Sequence, residues 1–112
     1  MGRDSDIGNP ATTLLITSDR KVVAVIGTAE RLSDTQLLCD VVIISAETDN
    51  TGLITVGGSA TVGALATRKG NAITAASGRP MIFIAPEGKK INLRDIWLDT
   101  TVNGDGVTYT AW

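Results

Sequence analysis

Four β-branched residues in succession, Val41-Val42-Ile43-Ile44, followed by Ser45-Ala46, constrain this chain more than any other feature. Two heavy substituents on each Cβ favour an extended backbone, and an apolar run without polar alternation belongs to a strand covered on both faces. Residues 41–46 are therefore expected as a central strand of a sheet.

The surrounding chain is punctuated in the same style. Residues 1–11 mix charges with Gly2, Gly8, Asn9 and Pro10 and show no apolar periodicity, which predicts an arm ahead of a single domain over residues 12–112. Thr13 to Thr17 and Lys21 to Ile26 read as strands joined by a turn at Ser18-Asp19-Arg20, with Gly27 as the stop. Thr28 to Gln36 has room for one helical turn behind the cap-like Ser33-Asp34-Thr35, too short to stand as a helix. Glu47 to Gly52 reads as the turn of a hairpin that returns through Leu53-Ile54-Thr55-Val56 to Gly57-Gly58. Ser59 to Gly70 is a surface excursion, the kind of segment that carries contacts.

Beyond it, Asn71 to Ala75 and Pro80 to Ala85 read as strands, with Pro80 at a first position where a missing N–H is tolerated. Pro86 to Lys89 is a turn, Asn92 to Asp95 a bend and Ile96 to Asp99 a strand. After Asn103-Gly104-Asp105-Gly106, Val107, Tyr109 and Ala111 alternate with Thr108, Thr110 and Trp112, so the two sets face opposite sides of a last strand. Seven or eight short strands between Gly, Asn, Asp and Pro turns predict an all-β fold, expected as an antiparallel β-sandwich of jelly-roll or immunoglobulin-like order.

At 112 residues there is room for one domain. Only Phe83, Trp97, Tyr109 and Trp112 are aromatic, so the core must be aliphatic. Ten basic and twelve acidic residues give a net charge of -2, and no basic cluster exceeds the pairs Arg68-Lys69 and Lys89-Lys90. Binding to a phosphate backbone needs a basic stripe that displaces counterions, so nucleic acid is not an expected partner. No apolar run approaches the roughly 20 residues that cross a bilayer, and the polar start Met1 to Asp6 is unlike a secretory signal. The expectation is a soluble chain made in the cytoplasm, with no membrane partner. Cys39 stands alone, without a partner for an intrachain disulfide, and reads as a small buried hydrophobe.

The chain contains no histidine, which removes the commonest general base, the commonest metal ligand and any Ser-His or Cys-His pair. The carboxylate pairs Glu47 and Asp49, and Asp99 and Asp105, are conceivable as a glycosidase pair or calcium ligands. Both pairs are assigned to turns, where such side chains bond nearby backbone amides. Gly52 with Gly57-Gly58 is no phosphate cradle, because no helix start with Lys or Ser/Thr follows. No catalytic, cofactor-binding or metal-binding residue is expected, and the chain is not read as an enzyme. Trp97 is read as core or core edge. Trp112 is either a second core anchor or an aromatic interface contact. A carbohydrate-binding module ranks low, since no two tryptophans lie along one strand.

Two stretches carry a family likeness. Cys39-Asp40-Val41-Val42-Ile43-Ile44-Ser45-Ala46 leads to Asn50-Thr51-Gly52-Leu53-Ile54-Thr55-Val56-Gly57-Gly58-Ser59, and Ile91-Asn92-Leu93-Arg94-Asp95-Ile96-Trp97-Leu98-Asp99 leads to Val102-Asn103-Gly104-Asp105-Gly106-Val107. Over residues 28 to 112 the chain resembles small β-sandwich structural proteins of tailed bacteriophages, of the capsid decoration or cement type. The motifs are turn and strand features and not a catalytic signature, and the stretch Met1 to Ile26 departs from the pattern. The resemblance implies a virion protein on the capsid surface, made in the host cytoplasm, that forms a homotrimer, binds the major capsid protein and uses no cofactor. A phage tail or head-tail adaptor is the alternative it also admits. The interface candidates are Ile7 and Pro10 of the arm, Leu65 and Arg68 of the excursion, and Trp112.

Overall fold

The computed structural model describes residues 15–112. Ten short strands make up the fold: β1 (Thr17–Val22), β2 (Glu30–Arg31), β3 (Leu38–Cys39), β4 (Val41–Ala46), β5 (Leu53–Gly57), β6 (Asn71–Thr74), β7 (Met81–Ile84), β8 (Ile91–Asn92), β9 (Trp97–Thr100) and β10 (Gly106–Ala111). All pair antiparallel, in four-stranded sheets of order β1-β10-β4-β7 and β2-β9-β5-β6 and a small β3-β8 pair. Apart from β3 and β8, each successive strand switches sheets except at β5 to β6. That connectivity is a jelly roll, in which two Greek keys wind into a sandwich. It settles the choice against an immunoglobulin-like order.

The core between the sheets is aliphatic, as composition requires. Val42, Ile44, Val107, Tyr109 and Ala111 of the first sheet meet Ile54, Val56, Ile73 and Leu98 of the second, and Val23, Leu32, Leu93 and Ile96 close the ends. The alternation expected after Asp105 is present: Val107, Tyr109 and Ala111 are buried while Thr108 is exposed. Residues 41–46 form an interior strand, as expected. Only one of its faces is covered, because Val41 and Ile43 are half-exposed while Val42 and Ile44 are fully buried.

Five expectations are corrected. The stretch Ser18-Asp19-Arg20 is not a turn but the middle of β1, paired with Tyr109 and its neighbours. Pairing with β10 holds it extended, and its polar side chains suit an edge strand. The strand ends at Val22, so Val25 and Ile26 lie exposed in a loop. The stretch 28 to 36 holds no helical turn, and β2 lies within it. Strands β4 and β5 are not a hairpin, because residues 47–52 carry the chain from one sheet to the other. The strand count is ten, where seven or eight were expected.

The outer faces of the two sheets differ. On the second, Thr55 and Asp99 stand opposite each other and point away from the core, yet both are buried. The chain between β5 and β6 folds back over them: a Val62 to Lys69 bridge closes it, Gly70 lies against Thr55, and Gly63 against Asp99. Gly70 adopts φ 118, and an added Cβ would meet the Val56 carbonyl oxygen at 2.7 Å, so this closure requires glycine. The outer face of the first sheet has no such cover among the described residues.

Candidate interaction surface

The uncovered face is built from two rows that cross β10, β4 and β7. In the first, Trp112 N–H donates to the Val41 carbonyl at 3.0 Å and Val41 N–H to the Trp112 carbonyl at 3.1 Å, while Val41 stands opposite Ile84. In the second, Ile43 lies between Thr110 and Ile82. Directly opposed residues share a face, and the residues between them, Val42, Phe83 and Ala111, turn to the core. The side chains of Val41, Ile43, Ile82, Ile84 and Trp112 therefore form one contiguous apolar surface. Ile82 is 53% exposed and Ile84 72%. Scattered apolar residues are normal on a protein surface, but a contiguous set with charges at its border has the anatomy of an interface.

The border is charged. Beside Val41, Lys90 Nζ contacts Asp40 Oδ1 at 2.7 Å, with Glu87 and Lys89 close by. Beyond Ser45, the Arg20 guanidinium of β1 donates twice to the Glu47 carboxylate, at 2.7 and 2.8 Å. That fork-to-fork pair holds the Arg20 proton more tightly than usual, first through its hydrogen bond to Glu47 and then through the charge.

Among the described residues, strand β7 is also an edge. The Ala85 N–H donates to the Asp40 carbonyl at 2.7 Å, and residues 41 and 84 are opposed. Antiparallel ladders alternate, so Ala85, Phe83 and Met81 direct their backbone groups at β4, whereas Ile82 and Ile84 direct theirs outward. The open side of β7 thus presents the N–H and C=O of two isoleucines. It lacks the charges that usually protect an edge strand.

Of the candidates named from sequence, Trp112 alone joins this face. It is half-buried and lies on the outer face beside Val41, so it is not a second core anchor. Leu65, 81% exposed, sits in a single 3-10 turn (Leu65–Thr67) on the segment that covers the other sheet. Arg68 turns back on the same segment and donates to the Gly63 carbonyl at 3.2 and 3.0 Å, so it closes a loop. Ile7 and Pro10, with the rest of the arm, lie outside the described residues. Sequence reading missed Val41, Ile43, Ile82 and Ile84. The signal was present in Met81-Ile82-Phe83-Ile84, which is apolar on both faces though it lies at an edge.

Asp99 and Asp105 serve the backbone. Asp99, in β9 and not in a turn, accepts N–H groups from Gly63 (2.8 Å), Thr100 (2.9 Å) and Gly27 (3.1 Å). Asp105 accepts from Gly52 at 2.8 Å and Thr51 at 3.3 Å, and the Asn50 amide exchanges two hydrogen bonds with the Gly106 backbone, at 2.8 and 2.9 Å. The Asn-Thr-Gly and Asn-Gly-Asp-Gly segments that carry the resemblance therefore meet as one polar joint. Cys39 is buried, and burial followed by the neighbouring Asp40 charge pushes its thiol pKa up. Trp97 is half-buried, with the Arg31 guanidinium 4.8 Å above its ring, so a cation already occupies the face that a sugar would stack on.

No protein-family model, curated protein or solved structure matches this chain.

Proposed function

We propose that the chain is a virion structural protein that decorates a capsid shell, adding protein-protein contact between shell subunits and performing no chemical step. The observation that carries this reading is the uncovered apolar face of Val41, Ile43, Ile82, Ile84 and Trp112 beside the open edge of β7. A jelly roll with one face sealed by its own chain and the other left apolar is organised to bind on one side. The motif likeness to bacteriophage decoration proteins, whose two halves meet at the Asn50 and Asp105 joint, supplies the phage assignment. Fold alone would not, because jelly rolls host many functions. In this reading the partners are the major capsid protein and further copies of the chain, in a homotrimer set over a junction of the shell.

The test combines native mass with co-sedimentation on purified shells. A trimer that sediments with shells, and an Ile82→Lys/Ile84→Lys variant that stays folded but remains in the supernatant, are the expected results. A ring of six or twelve that ignores shells would move the protein to the tail or the head-tail adaptor. A folded double variant that binds shells as well as the parent would remove the β4-β7 face from the proposal.

A further inference from the structure

The open edge of β7 and the exposed start of β1 lie on opposite sides of one sheet, β1-β10-β4-β7. Leu15 and Ile16, just ahead of β1, are 80% and 62% exposed, more than an apolar pair at a strand entrance should be. Antiparallel order makes β1 and β4 run one way and β10 and β7 the other. If a second copy continues this sheet past β7, its β1 side arrives antiparallel to β7, the direction that an added strand needs.

We infer that residues 12–16 of one copy, Thr12-Thr13-Leu14-Leu15-Ile16, add as a strand to the open edge of β7 in the next copy. Composition fits: the segment is β-branched and aliphatic, and without charge or proline. Alternation continued from Thr17, which stands opposite the inward Ala111, puts Ile16 on the outer face with Ile82 and Ile84. Size argues in the same direction: the face consists of the side chains of Val41, Ile43, Ile82, Ile84 and Trp112, against roughly 20 to 30 residues a side in a stable interface, so a second element must contribute.

Donor and acceptor are different surfaces of the same chain, so the contact is head-to-tail and closes into a ring when the rotation allows, three copies giving a trimer. The inference rests on the decoration reading only in taking self-association as part of it.

Two full-length variants test it. Ile84→Pro removes an N–H that faces the open edge and leaves the β4-β7 ladder intact; Leu14→Asp/Ile16→Asp spoils the donor. The wild type is expected to assemble at micromolar concentration. Each variant is expected to be a monomer of about 11.7 kDa with unchanged circular dichroism, and Ile84→Thr, which keeps the N–H, to assemble. Mixed 1:1, the two monomeric variants should form a heterodimer, because one retains the donor and the other the acceptor. Assembly that survives Ile84→Pro, a mixture that stays monomeric, or a wild type that is itself monomeric would each overturn the inference. Shell co-sedimentation, measured separately, keeps the two proposals apart: a monomeric wild type that binds shells only while the Ile84 N–H is present gives the edge to a shell subunit and leaves the decoration reading standing.

Discussion

The Asp99 carboxylate accepts the backbone N–H of Gly63 at 2.8 Å, and through this bond a β9 side chain fixes the segment between β5 and β6 over the outer face of its own sheet. The other oxygen takes Gly27 at 3.1 Å and Thr100 at 2.9 Å. Three donors converge on a group that is 2% exposed. Among the described residues, the opposite sheet has no such cover.

Asp99→Ala should therefore cost more than a surface substitution. It removes a charged acceptor and leaves two loop amides without a partner, a loss of about 3 kcal/mol. For a chain of this size, thermal unfolding should fall by roughly 10 to 20 °C. Amide hydrogen exchange should rise at Gly63 and Gly27 first. Unchanged protection at these two amides would show that the loops are held by something other than this carboxylate.

Thr55 makes the opposite prediction. It is fully buried opposite Asp99, and its Oγ1 has no hydrogen-bond partner. An unpaired buried hydroxyl is a standing penalty, so the near-isosteric Thr55→Val should stabilise the fold by about 1 kcal/mol. A melting point several degrees higher is the expected readout. A lower one would mean that the hydroxyl bonds a buried water.

The joint between Asn50 and Gly106 should be almost as sensitive as Asp99. The Asn50 amide acts as an extra backbone unit, donating to and accepting from Gly106 at 2.8 and 2.9 Å, and Asn50→Ala strands both groups at a cost of about 2 kcal/mol. Gly52→Ala should do comparable harm by a different route, because its Cβ would run into Thr101 Oγ1 and lie 2.8 Å from Val102 Cγ2. Denaturant midpoints of the two variants measure this directly; near-parent values would make the joint decorative.

The same joint shows why part of the fold was legible and part was not. Strands β4, β6, β7 and β10 were readable because β-branched runs and alternation are local signals. The partners of β4 were not. Residues 47–52 have turn chemistry, and such chemistry reads alike whether the strands it joins pair in one sheet or pass between two. The bonds of Asn50 and Asp105 to residues more than 50 positions away decide it. Strand β1 was hidden for the same reason, since Ser18-Asp19-Arg20 is extended only because β10 pairs with it. Asp99 resembled a turn residue, because nothing local shows which amides will reach its carboxylate. In the candidate surface, Trp112 was visible as an unplaced aromatic. Ile82 and Ile84 were hidden inside a strand whose edge position is a property of the topology.

Glu30 sets a pH dependence whose sign follows from its partners. Burial raises its pKa, but the hydrogen bond with Lys21 and the Ala24 N–H, which reaches Glu30 Oε2 at 2.8 Å, outweigh burial and hold the carboxyl below its ordinary 4.5. The unfolded chain then binds the proton more readily than the folded one. The stability contributed by this group is complete above about pH 4.5 to 5 and is lost as pH falls through the lower folded value. Glu30→Gln removes that dependence. The stability difference between parent and variant should be constant from pH 8 to about pH 5 and shrink towards pH 3 in urea titrations. A difference that grew on acidification would mean that burial dominates and that Glu30 holds its proton more tightly when folded.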